Sequence, residues 1–388
     1  MFLKNQWLKL VAYVVFALGL RFIIVDYMLE GTTEWWIQSL AIMIIFVVGI
    51  GFVFRGTAKV IEETTDVLKD RTKLAGGFLQ AMGTAFPDMV IGVMAAIISL
   101  QVRDTDYLRA VNLAIIAAST TFGSNVYNIL HAVWCIYRQN LANARKKTVL
   151  MFPPFKAGGR LKPVKDHTIK PSVKEMDGAI RILTALTLLT AFVAISMVLF
   201  GRVKDSANIY GGDLYQLVLP VGIALFLMAV GTLYVFRKSD RPESPVAEIR
   251  EEERYYDKKS SMRIWADLLL AGVAILFAAE SMVKSMETFS HLTHIPFVIT
   301  GILAGLIGCM GEMIVVHNFS VNPKGRIGDA IVGVGMDNIV TIMGASIVAI
   351  MGGIFLGGNS LILIFVIILA ANTLLIEQIA RFKNYLVR

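Results

Sequence analysis

Charged residues are scarce in this chain of 388 residues: Asp, Glu, Lys and Arg together make up 17%, against about 25% in an ordinary soluble domain. Only two cysteines are present, Cys135 and Cys309, so the sequence holds neither a disulfide framework nor a CxxC motif. The redox compartment is therefore left open. Hydrophobic residues supply 56% of the chain, more than the 45–50% or so of a soluble globule. We therefore expect an integral membrane protein.

Ten apolar stretches are each long enough to cross about 30 Å of hydrocarbon as an α-helix. Runs of this length, without the ten-residue alternation of a membrane barrel, predict an all-α fold. The first stretch contains Arg21 and lacks a small-residue cleavage site, so we interpret it as a retained, extra helix within residues 1–30. The predicted spans lie near residues 7–29, 36–61, 73–101, 107–137, 179–201, 214–236, 264–287, 294–319, 326–352 and 358–382.

Basic residues are concentrated in two long segments between spans, the loop 138–178 and the linker 238–263. If the N-terminus, with Lys4 and Lys9, is cytoplasmic, ten spans place both segments and the C-terminus on the cytoplasmic side, as the positive-inside rule requires. Basic residues beside spans set topology, so the net charge of +8 does not predict binding to nucleic acid. We expect a multi-pass protein of the cell membrane that contacts lipids, and its oligomeric state is left open.

Two segments resemble copies of each other, and each carries an acid: residues 83–89 include Asp88, and residues 307–313 include Glu312. With these acids aligned, the following span of each copy carries a polar, Gly-containing cluster at 123–128 or 333–338. The copies begin five spans apart, an odd number, so they enter the membrane from opposite sides. This parity predicts two inverted-topology repeats in halves 31–237 and 264–388, with the acids meeting near the midplane.

Carboxylates at bilayer depth cost about 2.5–3.5 kcal/mol on insertion scales, so each one indicates a function. Pro87, next to Asp88, should disrupt its helix one turn back, near Gly83. Oxygen donors suit Ca²⁺, whereas the chain has no Cys/His cluster for zinc or copper. We expect no resident cofactor, only transported Ca²⁺ and Na⁺ or H⁺ as bound ions. The candidate cation ligands are Asp88, Glu312, Asp337, Thr84, Ser124, Asn125, Asn128 and Asn338.

At these residues the chain resembles the cation/calcium antiporter superfamily, the sodium/calcium exchangers. Their repeats carry a Gly-Thr-Ser-x-Pro-Glu core and a Gly-Ser-Asn-x-x-(Asn/Asp) core. The first repeat matches at Gly83, Thr84, Pro87 and Asp88, then at Gly123, Ser124, Asn125 and Asn128, while the second repeat is divergent. The resemblance implies a ten-helix exchanger in which Asp88 and Glu312 coordinate calcium. It also implies that Ser124 and Asn128 assist, with Asp337 equivalent to Asn128, or Asn338 if the register slips by one.

The resemblance favours a secondary active antiporter, not an enzyme, that exchanges Ca²⁺ for Na⁺ by alternating access. Ala85, Gly308, Cys309 and Gly333 replace hydroxyl residues that help to hold sodium in the family, so exchange of Ca²⁺ or another cation for H⁺ is the alternative. His131 and His317, close to Asn128 and Glu312, are candidate proton carriers. A distant alternative is an intramembrane aspartyl protease, which needs two aspartates sharing a proton.

The predicted topology can be tested by labelling single cysteines in a background that lacks Cys135 and Cys309. Cysteines replacing Leu150 and Pro245 should react only from the cytoplasmic side, because both lie in basic segments. One replacing Thr33 should react only from outside. Labelling of positions 150 and 245 from opposite faces would contradict the inverted repeat.

Overall fold

A computed structural model of the chain describes residues 6–72, 78–168, 170–204, 212–238, 255–321, 327–352 and 355–387. Two π-helical segments, Leu20–Leu29 and Ile45–Phe54, extend the first two helices. The helices are α1 (Gln6–Gly19), α2 (Trp35–Ile44), α3 (Arg55–Thr72), α4 (Phe78–Val102), α5 (Tyr107–Arg145), α6 (Val173–Phe200), α7 (Leu219–Lys238), α8 (Ser261–Thr293), α9 (Phe297–Gly308), α10 (Met310–Val321), α11 (Ile327–Met351) and α12 (Gly358–Val387).

Each of the ten predicted spans coincides with one of these helices or with a pair of them. Within the described residues, eight helices are long and apolar enough to cross a membrane, and the bent pair α9–α10 makes a ninth. The remaining predicted span coincides with α4 (Phe78–Val102), which includes the apolar stretch Met89–Val102, and residues 73–77 lie outside the described part. The prediction of an all-α, multi-pass membrane protein is confirmed.

Two small antiparallel sheets lie between helices, and the sequence analysis predicted neither. Strands β1 (Val149–Phe152) and β2 (Phe155–Leu161) form a hairpin, whereas β3 (Leu214–Gln216) pairs with β4 (Phe355–Gly357). Within the predicted loop 138–178, α5 extends to Arg145, the hairpin follows, and α6 begins at Val173. Most of the predicted linker, residues 239–254, lies outside the described residues.

Helix α5 lies at the centre of the packing, against α4, α9, α10, α11 and α12. Its contact with α9 is very close because Gly301 and Gly305, four residues apart, present no side chains there. A Cβ on Gly305 would lie 2.6 Å from the Ser124 nitrogen, and one on Gly301 would lie 2.6 Å from the Ser119 Cβ. Small residues at this spacing let two membrane helices approach until their backbones touch.

The two repeats cross over each other through the acid-bearing helices. Helix α9, which leads to Glu312, packs on α5, while α4, which carries Asp88, packs on α11 of the other repeat. A bend of 53° separates α9 from α10. Helix α4 is uninterrupted from Phe78 to Val102, so the predicted disruption near Gly83 is wrong. Packing against α5 and α11 holds the helix together through Pro87.

The first span is joined to α8 by ion pairs within the membrane region. Arg21 Nε lies 2.6 Å from Glu280 Oε1, and Lys284 Nζ lies 3.1 Å from Glu30 Oε1. A further pair, Arg109 Nε to Glu287 Oε1 at 2.6 Å, joins α5 to α8. Pairing offsets the cost of carrying these charges into hydrocarbon.

The close contact between α5 and α9 generates a stability prediction. Replacing Gly305 by Ala should lower the free energy of unfolding by about 1–3 kcal/mol, because the added methyl overlaps the backbone of α5. Gly272 in α8 is the matched control, since a Cβ there meets nothing within 4 Å. Gly272→Ala should be neutral or stabilising, because Ala favours helix more than Gly does. Thermal unfolding in detergent compares the two variants, and equal effects would contradict the overlap.

Candidate ion site

The two repeats meet at a hydrogen bond between α5 and α10. The side-chain amide of Asn128 donates to Oε2 of Glu312, and both residues are buried. Glu312 lies in the first turn of α10, where the helix dipole favours a negative charge. Because the chain bends after α9, α10 begins inside the membrane region. The bend therefore places the carboxylate of Glu312 at the positive, N-terminal end of a helix.

Further buried amide groups on α5 and α11 have no hydrogen-bond partner among the described residues. Asn125 and Asn338 are fully buried, and in each both the Oδ1 and the Nδ2 atom lack a hydrogen-bond partner among the described residues. Asn128 Oδ1 is in the same condition. Burying a polar group without a partner costs roughly 1–3 kcal/mol. Hard cations such as Ca²⁺ prefer oxygen ligands, and these buried amide oxygens are available as ligands.

Asp337 and Asn338, the two alternatives for one position of the repeat, are both buried in α11. Asp337 lies two helical turns before Gly344 and therefore on the same face. A Cβ on Gly344 would lie 2.5 Å from Met89 Cγ, so that face of α11 is turned toward α4. Asp337 therefore lies on the face of α11 that packs against α4, the helix that carries Asp88.

Two of the predicted ligands, Thr84 and Asp88, have side chains outside the described residues, although their backbones belong to α4. Ser124 is buried on α5 and donates its hydroxyl to the Thr121 carbonyl at 2.9 Å. The structure therefore brings Asn128 and Glu312 into contact and buries Ser124, Asn125, Asp337 and Asn338 on α5 and α11.

Three other acids of the membrane region have basic partners and lie apart from this cluster. Glu280 and Glu287 bind Arg21 and Arg109, as described above. Asp267 Oδ1 lies 3.0 Å from Arg263 Nε. These partners neutralise the acids, so we assign them a structural role.

Sequence reasoning missed two hydroxyl residues on α5. Ser119 and Thr120 are buried, and their hydroxyl oxygens have no hydrogen-bond partner among the described residues. Both lie about one helical turn before Ser124, so a search for further polar residues at helical spacing from Ser124 could have identified them. Their position extends the polar face of α5 toward the side of the membrane where that helix begins.

Comparison with known proteins identifies the fold but no family. No protein-family model matches the chain, and no curated protein matches it. The structure is similar to the crystal structure of the H⁺/Ca²⁺ exchanger CAX, with a TM-score of 0.58, 12% identity, and coverage of 100% of this chain and 93% of that one. It is also similar to native YfkE, with a TM-score of 0.57, 13% identity, and coverage of 99% and 96%. The chain therefore shares the membrane fold of an H⁺/Ca²⁺ exchanger.

The amide of Asn128 generates a binding prediction. Asn128→Ala should weaken binding of a divalent cation by about tenfold or more, because it removes one oxygen donor and the hydrogen bond that positions Glu312. Asn140→Ala on the same helix is the control, since its amide donates to the Gln378 carbonyl of α12 at 2.9 Å. The control should lower thermal stability and leave affinity unchanged. Calcium titration calorimetry measures the affinity of each variant, and thermal unfolding measures its stability. Equal affinities for the two variants would place Asn128 outside the site.

Proposed function

We propose that the chain is a secondary active antiporter that carries Ca²⁺ across a membrane in exchange for a monovalent cation, by alternating access. The hydrogen bond from Asn128 to Glu312 is the observation on which the proposal chiefly depends. It joins the two repeats at a buried carboxylate, and a cation bound there would contact both repeats at once. A site shared by two inverted repeats is the arrangement that alternating access requires.

The residues present fit a hard cation as the transported substrate. Glu312 and Asp337 supply carboxylate oxygens, and Asn125, Asn128 and Asn338 supply amide oxygens. Asp88 and Thr84 complete the set in the proposal, from their position on α4. Calcium accepts about 6–8 oxygen ligands at 2.3–2.6 Å, and this set is large enough to provide them.

The proposal takes H⁺ as the coupling ion. Three carboxylates at one low-dielectric site cannot all stay ionised without a cation, so loss of Ca²⁺ favours uptake of protons. The hydroxyl residues that hold sodium in the resembling family are replaced at Ala85, Gly308, Cys309 and Gly333. The fold is also shared with a protein described as an H⁺/Ca²⁺ exchanger. The sequence resemblance favours Na⁺ instead, and evidence for coupling to Na⁺ would replace H⁺ as the proposed coupling ion.

We infer that the protein is a transporter and not an enzyme, because both similar structures share its fold, one of them is described as an exchanger, and the buried Glu312 accepts a hydrogen bond from an amide. The basic loop carrying the β1–β2 hairpin is proposed to be cytoplasmic, following the positive-inside rule. Both termini would then be cytoplasmic, with the cell membrane as the site of action.

Radioactive calcium uptake into proteoliposomes tests the function. A pH gradient should drive uptake and a sodium gradient should not. Asp88→Asn and Glu312→Gln should each abolish uptake in a folded protein, because each removes a ligand charge that binds the cation, while a neutral amide costs less at depth than an acid.

The control is the double variant R109Q/E287Q, which replaces a bidentate ion pair of the membrane region (2.6 and 2.9 Å) outside the cluster. Removing both partners together leaves no unpaired charge, so uptake should persist. Uptake driven only by sodium would overturn the choice of proton. Near-normal uptake by Glu312→Gln would remove that residue from the site.

A further inference from the structure

A continuous line of polar side chains leads from Glu312 along the interface of α5 and α10 toward the β1–β2 hairpin. We call this interface the α5–α10 seam. Its first step is the bond from Asn128 to Glu312. One turn further along α5 lies the half-buried His131.

The seam continues for one more helical turn. The rings of His131 and His317 are stacked with centroids 6.2 Å apart, and Cys135 Sγ lies 3.5 Å from His131 Nε2. Ser320 of α10 is also buried, and its hydroxyl donates to the Val316 carbonyl at 2.7 Å. Two helices that only packed together would place apolar side chains here, since buried polar groups reduce the gain from burial.

One aromatic ring covers the far end of the seam. Phe152, the last residue of β1, lies between His317 (centroids 5.6 Å apart, planes 2° apart) and Trp134 (6.3 Å, 5°). The ring therefore spans both helices, because Trp134 belongs to α5 and His317 to α10.

The hairpin that carries Phe152 is fixed to α5. Trp134 Nε1 donates to the Met151 carbonyl at 3.1 Å, and Arg138 Nε donates to the Leu150 carbonyl at 3.0 Å. Toward α10 the hairpin makes a close backbone approach at Gly159. That residue has φ +83°, and a Cβ on it would lie 2.9 Å from Val321 Cγ1.

We propose that the α5–α10 seam is the route by which cations pass between the ion site and the hairpin side of the membrane, and that Phe152 is the plug that closes it. The inference deepens the proposed function and rests on it. Helix α10 is short, begins at the bend after α9, and packs on α5, α9, α11 and β2. Tilting α10 about that bend would separate it from α5, while the hairpin stays attached to α5.

Cys135 reports on opening because it lies inside the seam and is fully buried. With Cys309→Ser as background it is the single thiol of the chain. The cationic, membrane-impermeant reagent MTSET is applied to the protein in nanodiscs, and mass spectrometry follows the modification rate. Phe152→Ala should raise that rate at least about tenfold, because two ring contacts that hold the plug are lost.

Phe155 is the matched control, since it pairs with Phe152 across the hairpin turn and its ring is exposed. Phe155→Ala should leave the rate unchanged, and Phe152→Trp, which keeps a ring in place, should stay near the parent. If Phe152→Ala fails to fold, Phe152→Leu takes its place with a smaller rise. An unchanged rate in the Phe152 variants, or an equal rise in Phe155→Ala, overturns the plug.

Transport after labelling tests whether cations use the seam. In Phe152→Ala, modification of Cys135 should stop calcium flux, and the same reagent should leave flux intact when Cys135 is replaced by Ser. Flux that persists after complete modification overturns the route. If Cys135 becomes accessible as expected but no variant carries calcium, the antiport function is overturned and the plug is supported. Failure of the plug and failure of the antiport function are therefore distinguishable.

Discussion

The close approach of α5 and α9 is the constraint on which the rest of the structure depends. With backbones in contact at Gly301 and Gly305, the chain beyond α9 has little freedom, and α10 must begin beside the Asn128 turn of α5. The carboxylate of Glu312 then meets an amide from the other repeat. A bulky residue at either glycine would move the start of α10 away from α5 and separate the two halves of the site.

The acids of the membrane region fall into two groups that obey different electrostatic rules. Glu280, Glu287 and Asp267 are each paired with a guanidinium group. Glu312 is held by an amide, whose dipole orients the carboxylate without cancelling its charge. A group held in this way stays sensitive to the cations around it, which is the property that a transport site needs.

Sequence reasoning located the membrane helices and the buried polar cluster because both depend on strong local signals: long apolar runs, and acids in places where acids are costly. It could not predict the β1–β2 hairpin, whose strands are short and whose backbone accepts hydrogen bonds from the side chains of Arg138 and Trp134 on the preceding helix. The effect of Pro87 was also misjudged, since packing against two neighbours maintains α4 through the proline. Whether Asp337 or Asn338 faces α4 depended on the contact of Gly344, which no spacing within α11 reveals.

The π-helical segment Leu20–Leu29 affects how the protein is made. Arg21 and Asp26 are five residues apart, a separation that a π-helix brings onto one face, and their side chains bind at 2.5 Å. During synthesis, the first span enters the bilayer long before α8 exists to offer Glu280. Asp26 is therefore an acidic partner within the same span, present before α8 is made, and Glu280 is the second partner of Arg21 in the folded protein.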